Sequence, residues 1–186
     1  METKDLTFKI TFYSDWHCGS GLSAGADIDS LVIKDERKLP YIPGKTIKGL
    51  FKDSTTRFLQ HATIGKNATK IFGEEGGNHS ELFFSDAELS KEEQHNILEN
   101  QLTKYLYRSI DSTAVNDEGI AKRESLRKIE VTIPCELYCK ILSVPKNLES
   151  DFLVCAKLIK KLGSGRNRGF GRCDINLIDN YQKNQL

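Results

Sequence analysis

Charge of one sign is what this sequence lacks most. Its 27 lysines and arginines stand against 26 aspartates and glutamates, a formal net charge of +1. No whole-molecule field therefore marks a nucleic-acid partner, and any basic surface must come from local clustering. No apolar run reaches membrane-spanning length, so no membrane partner is expected, and the first residues lack a signal peptide's apolar core. Cysteine is scarce and odd in number, five with no zinc-like pairing, which suits a reducing cytoplasm. His61, His79 and His95 have no mutual spacing that argues for zinc, and no Ser-His-Asp or Cys-His set can be assembled.

One further absence concerns "KLPYIPGKTIKGLFKD" at 38–53, where Gly44, Lys45 and Thr46 look like the end of a phosphate-binding loop. A P-loop needs a glycine five residues before that tripeptide; the position is Leu39, and Pro40 and Pro43 remove two N–H donors from the cradle. A nucleotide cofactor is not expected, and the Gly-Lys-Thr must serve another purpose.

What is present reads as one α+β domain over 1–186. Leu6, Phe8, Ile10 and Phe12 alternate with Thr7, Lys9, Thr11 and Tyr13, which predicts a half-buried first strand. A long Gly-, Asp- and Pro-rich loop follows, of the kind that carries function. A helix is predicted over 45–60, with Gly44 at its N-cap, Ile47, Leu50, Phe51 and Phe58 on one face, and Lys45, Lys48 and Lys52 on another stripe. A short strand is expected at 81–87, then a polar, irregular insertion at 88–127 with room for a short helix. Residues 128–142 alternate as one long strand, with Pro134 suggesting an edge or a bulge. A second helix is predicted over 147–162 with Asn147 as N-cap, and a last strand over 170–178. The order β-α-β-β-α-β suggests a ferredoxin-like (RRM-like) fold, whose open sheet face is a common RNA platform.

The densest local signal is "KLIKKLGSGRNRGFGRC" at 157–173. Lys157, Lys160, Lys161, Arg166, Arg168 and Arg172 stand there without an acid, interrupted by Gly163, Gly165, Gly169 and Gly171. Glycines let a backbone approach a ligand, and arginines between them offer forked donors to phosphate oxygens. The loop follows a helix and opens a strand, the reverse of a dinucleotide fingerprint, so phosphate-backbone binding is the reading. Cys135 and Cys139 fall on an alternating strand and read as core thiols. Asp27 and Asp29, in "GADIDSLVIKD", read by themselves as a solvated turn; if the stretch is extended they face one way, and such a pair could hold a divalent metal, or one could assist proton transfer from a hydroxyl.

Four stretches share a pattern. "HCGSG" at 17–21, "DIDSLVIKDERKLPYIPGKTIKGLFKD" at 27–53, "RSIDSTAVNDEG" at 108–119 and "LGSGRNRGFGR" at 162–172 resemble, in order, elements of the RAMP superfamily of CRISPR systems. They are most similar to the repeated backbone subunit of type III RNA-targeting effector complexes. The resemblance implies a guide-RNA-binding subunit that polymerises with further copies of itself and other effector subunits in cytoplasmic antiviral defence. A thumb-like insertion, here 88–127, would kink the guide–target duplex. A loop aspartate, matched by Asp29 with Asp27 as its neighbour, would serve metal-dependent (Mg²⁺ or Mn²⁺) endoribonuclease cleavage of single-stranded target RNA. The implied RNA-binding set is His17, Lys45, Lys48, Lys52, Arg108, Gly163, Gly165, Arg166, Arg168, Gly169 and Arg172. The alternative is a non-catalytic RNA-binding scaffold subunit of the same kind of complex. A guide-processing ribonuclease of the same superfamily fits less well, since it would usually carry two such units and a catalytic histidine.

Overall fold

The structure is a computed structural model that describes residues 2–23, 28–73, 80, 82–113, 118, 120 and 126–178. In chain order it runs β1 (Thr3–Phe12), α1 (Gly44–Phe58), α2 (Thr63–Lys66), α3 (Ala68–Phe72), β2 (Phe83–Phe84), α4 (Lys91–Glu99), β3 (Tyr107–Ser112), β4 (Arg127–Thr132), β5 (Glu136–Pro145), α5 (Glu149–Leu158) and β6 (Cys173–Leu177). Four strands form one sheet in the order β2-β5-β1-β6, with every pairing antiparallel. The remaining two, β3 and β4, pair antiparallel as a separate ribbon. It is a mixed α/β fold with antiparallel sheets.

The alternation in β1 sets this arrangement. Leu6, Phe8, Ile10 and Phe12 are all buried, and β1 sits in the middle of the sheet, opposite β5 through pairs such as Ile10–Leu137 and opposite β6 through Ile10–Ile175. Both long helices cover that apolar side. Phe51 of α1 lies 5.6 Å from the Phe8 ring and 5.7 Å from Phe152 of α5. Burying each such ring contributes about 2–3 kcal/mol, so this triangle joins sheet and helices.

Four expectations need correction. Residues 128–142 are not one strand: the chain breaks around the exposed Pro134, so β4 belongs to the ribbon and β5 to the main sheet. Proline has no N–H to give a ladder, and that break lets the chain change sheets. The short helix expected near 90–106 is α4, but the segment around it is not the irregular stretch expected. Ser90 caps α4 by accepting from the Glu93 N–H, and Leu89, Ile97 and Leu106 join the core. Only the ribbon stands apart. Asn147 does not cap α5, because a 3₁₀ turn at Lys146–Leu148 leads into it. Phe58, expected on the apolar face of α1, is 60% exposed at the helix end.

Gly44 opens α1, with Pro43 in the cap position. A side chain there would run into the Phe84 carbonyl, and its N–H donates to Asp86 Oδ1 at 2.7 Å. The glycine of the Gly-Lys-Thr thus seats the helix against β2. Gly49, on the same helix, has nothing near a would-be Cβ. Gly44→Ala is therefore expected to lower stability by about 1–3 kcal/mol. Gly49→Ala should raise it by about 0.5–1 kcal/mol, the helix-interior cost of glycine. Denaturant unfolding of both variants checks this; shifts of the same sign would contradict the packing at Gly44.

Candidate nucleic-acid interface

The glycine-rich loop is built where α5 hands the chain to β6. Lys161 and Arg172 bridge its base, and Leu162 N–H donates to the Gly171 carbonyl at 2.9 Å. Between them, Arg166–Arg168 form a 3₁₀ turn flanked by Gly165 and Gly169, both left-handed. Gly163 also has positive φ, and a Cβ there would strike the His17 backbone. Glycine is required at that point by conformation and by close approach together. Arg166, Arg168 and Arg172 are exposed, and among the described residues none forms an ion pair. The loop borders a cleft of about 960 Å³ whose opposite wall is α1. Arg57, Lys160, Lys161, Arg166 and Arg168 line it against one carboxylate, Asp53, and the exposed ring of Phe58 stands at its edge. Such a cleft suits a phosphate backbone with an adjacent base.

The lysine stripe lies elsewhere. Leu50, Asp53, Ser54 and Arg57 face the cleft, whereas Lys45, Lys48 and Lys52 fall on the other side of the helix at 3.6 residues per turn. Lys52 Nζ donates to the Gly73 carbonyl at 3.1 Å. The expected single surface of loop plus stripe is therefore divided. Of the loop's helical partners, Arg57 was not singled out, because a lone arginine carries no spacing signal, and Phe58 was read by its spacing as a core residue instead.

His17 is 5% exposed, and protein groups take both ring nitrogens: the Glu130 carbonyl at 2.7 Å from Nδ1 and Ser30 Oγ at 3.1 Å from Nε2. Its backbone carbonyl accepts the Ser164 N–H at 2.8 Å. His17 thus ties the glycine-rich loop, the acid-bearing loop and the ribbon together. This corrects the expectation of a direct RNA contact, since its ring has no free face or donor to offer.

Asp29 is exposed and lies alongside β4. Its N–H donates to the Lys128 carbonyl at 2.8 Å, and its Oδ2 accepts the Lys128 N–H at 2.7 Å. Oδ1 has no partner among the described residues. Asp27 lies outside the described residues, so the paired-carboxylate reading is carried by Asp29 alone. Arg108, on β3, is exposed but bound to the buried carboxylate of Asp15. Its charge is partly spent within the protein.

The loop after Asp29 is strapped to the ribbon. Lys34 Nζ meets Glu130 Oε1 at 2.7 Å and sits 3.9 Å over the Tyr107 ring. Glu130 Oε2 accepts the Val32 N–H at 3.1 Å. Burial pushes the Tyr107 phenol well above its ordinary range, and its hydroxyl stays a donor to the Lys38 carbonyl at 2.7 Å. Alternation placed Glu130 and Thr132 on an outer face. They are buried because Trp16, paired with Thr132, and Ser30, bridged at Ile129, both cover the edge of β4 that faces away from β3.

The open face of the main sheet is neutralised from within. A hydrogen bond from Lys9 holds the Glu136 carboxyl below its usual range, and Lys160 does the same for Asp174. Burial raises the thiols of Cys135, Cys139 and Cys173 to about 12, so they stay protonated. Among the described residues no group of three or more His, Cys, Asp or Glu side chains is arranged to hold a metal ion. None of the described helices is long and apolar enough to cross a membrane.

Removing the strap should free the Asp29 loop. Glu130→Ala is expected to cost about 2 kcal/mol by orphaning Lys34 and the Val32 N–H. Amide exchange at Val32 should accelerate more than at Phe8 in the core. Equal exchange at Val32 in variant and wild type would show that the strap carries no restraint.

A model of the RAMP superfamily matches residues 9–174. No curated protein matches the sequence. The fold is similar to that of a chain in a cryo-EM structure of the type III-B Cmr-beta bound to cognate target RNA, with a TM-score of 0.73 and 12% identity, covering 94% of this chain and 97% of that one. It is also similar to a chain of type III-B Cmr-beta in the apo state, with a TM-score of 0.69 and 14% identity, covering 95% and 98%. At these identities the likeness is one of fold. The family pattern itself runs from within β1 to within β6 and takes in α1, the ribbon and the glycine-rich loop, and by that extent the chain belongs to the RAMP superfamily.

Proposed function

We propose that this chain is a guide-RNA-binding backbone subunit of a type III CRISPR effector complex, and that it cleaves complementary target RNA through Asp29. The observation that carries the binding half is the pair of arginines, Arg166 and Arg168, without ion-pair partners among the described residues, on a glycine-framed loop beside a cationic cleft. The family membership supports it, as does the likeness to Cmr-beta chains, one of them bound to target RNA. The strand order β2-β5-β1-β6, with α1 and α5 over one face, is read as a ferredoxin-like core, and the β3–β4 ribbon as the root of the thumb.

The chemical half rests on Asp29. The Lys128 N–H holds one carboxylate oxygen, which fixes the group at the ribbon edge, and the other oxygen has no partner among the described residues on this exposed side chain. A carboxylate so placed can orient the 2′-hydroxyl of a target nucleotide and accept its proton as that oxygen attacks the adjacent phosphorus; the P–O5′ bond breaks, the leaving 5′-oxygen takes a proton from water, and the products are a 2′,3′-cyclic phosphate and a 5′-hydroxyl end. The described residues offer no cage for a divalent cation, but Asp29 fits the mode in which a single carboxylate shares a magnesium or manganese ion with substrate phosphates. Such an ion would supply charge neutralisation at the phosphate. Among the described residues only Asp29 stands in this position, which also favours the second reading, a subunit that binds and scaffolds without cutting. A guide-processing nuclease is disfavoured, because His17 is buried and fully engaged.

Two measurements separate these readings. Arg166→Ala/Arg168→Ala should weaken RNA binding and reduce its logarithmic salt slope by about 1.4, roughly 0.7 per lost phosphate contact on a single strand. Unchanged affinity and slope would remove the loop from the interface. Asp29→Asn keeps an acceptor for the Lys128 N–H and removes the charge. In an assembled complex with magnesium or manganese it should slow target cleavage by about 100-fold or more while leaving target affinity near wild type. Cleavage at the wild-type rate would leave Asp29 without a chemical role. A wild type that binds target but never cuts would establish the scaffold.

A further inference from the structure

We propose that the ribbon base carries a second phosphate-binding pocket, continuous with the glycine-loop cleft, so that one single strand of RNA runs from the cleft across Arg108 into this pocket. The inference rests on the RNA-binding reading above and gives it a path.

The pocket is a hollow of about 350 Å³ where the loop after Asp29 meets the start of β3. Lys34, Lys38, Lys104 and Arg108 line it, with Glu130 as its one acid. Two of these cations are already matched, Lys34 by Glu130 and Arg108 by Asp15. Lys38 and Lys104 are exposed, and neither has an ion-pair partner among the described residues. The fold holds Lys38 in place at a cost. Its backbone is left-handed at φ 65, pinned by the Asp35 carbonyl, which accepts its N–H at 3.0 Å, and by the Tyr107 hydroxyl on its carbonyl. A non-glycine residue kept in that conformation is held there by its surroundings, and such sites concentrate at ligand clamps.

Continuity comes from shared walls. A third hollow, of about 310 Å³, lies between the cleft and the pocket, lined by Tyr13, Asp15, Arg108, Arg168 and Phe170 among others. It shares Arg168 with the cleft and Arg108 with the pocket, so an arginine stands at each junction. Each hollow also has an exposed aromatic ring in or beside it. Phe58 is 60% exposed in the first and Tyr13 57% in the middle one, while Tyr105, 63% exposed, neighbours Lys104 at the last. Cations alternating with exposed rings are what a single-stranded nucleic acid requires, one for phosphates and the other for unstacked bases. An acidic peptide would use the cations but leave the rings without purpose. The neutralised sheet face offers no competing track.

The test uses the full chain with labelled oligouridylates of about 4 and about 16 nucleotides, short and long against the usual single-strand site sizes. The variant is Lys38→Gly/Lys104→Ala, because glycine keeps the left-handed backbone at 38 and so preserves the fold. The short RNA should bind this variant as it binds wild type. The long RNA should lose affinity about tenfold, with its salt slope reduced by about 1.4 for two contacts. Arg166→Ala/Arg168→Ala should weaken both lengths. If the lysine variant binds both lengths as wild type does while the arginine variant is weakened, the path is wrong and the RNA-binding reading stands. If wild type binds neither RNA, both fall. If polyglutamate of matching charge displaces the long RNA as well as unlabelled RNA does, the pocket is a general anion site and the assignment to a nucleic-acid strand is overturned.

Discussion

Three segments distant in sequence meet at His17, and the arrangement of every charged group near the interface follows from that meeting. Its imidazole reaches Ser30 on one side and the Glu130 carbonyl on the other, while its own carbonyl receives the Ser164 N–H. Each bond is worth about 1 kcal/mol by itself. Their effect is larger as a set, because one rigid ring fixes the spacing between the glycine-rich loop, the Asp29 loop and the ribbon. The absence of a side chain at Gly163 is part of the same constraint, since the loop could not otherwise close on the His17 backbone.

From this centre the ribbon gains its definition. A two-stranded antiparallel pair is marginal alone. Here the edge of β4 that faces away from β3 is extended by Trp16, through a reciprocal pair of hydrogen bonds with Thr132, and further along the same edge by the 28–34 loop. The ribbon root therefore behaves as a small sheet with the Asp29 loop as an outer member. Asp15 and Arg108 add a charged tie between the ribbon and the chain after β1.

Legibility in the sequence followed the range of the forces involved. β1, α1, α5 and β6 could be read because their signals are local: strict alternation, helical spacing, and a glycine-rich turn between cations. The capped helix α4 was also written locally, in "SKEE" at 90–93, and a short helix was expected there, but its polar surface, with only Gln94 and Ile97 buried, hid how the segment joins the core. The break at Pro134 could not be placed from periodicity, because the alternation continues in phase while the chain passes between sheets. The burial of His17, Asp15 and Glu130 was not legible at all. It depends on partners at sequence separations near one hundred, such as Arg108 for Asp15 and Lys34 for Glu130, and nothing in a residue's neighbourhood records a distant counter-charge.

The near-equality of positive and negative residues has a kinetic meaning. A body with almost no monopole feels little pull toward a polyanion until it comes within a screening length of about 8–10 Å. There the local separation of charge takes over: exposed arginines on one loop, self-neutralised pairs on the open sheet face. Approach is then a matter of torque rather than attraction, turning the cationic cleft toward the polymer at close quarters. The same lack of monopole means that two copies lying side by side accumulate almost no mutual repulsion from net charge.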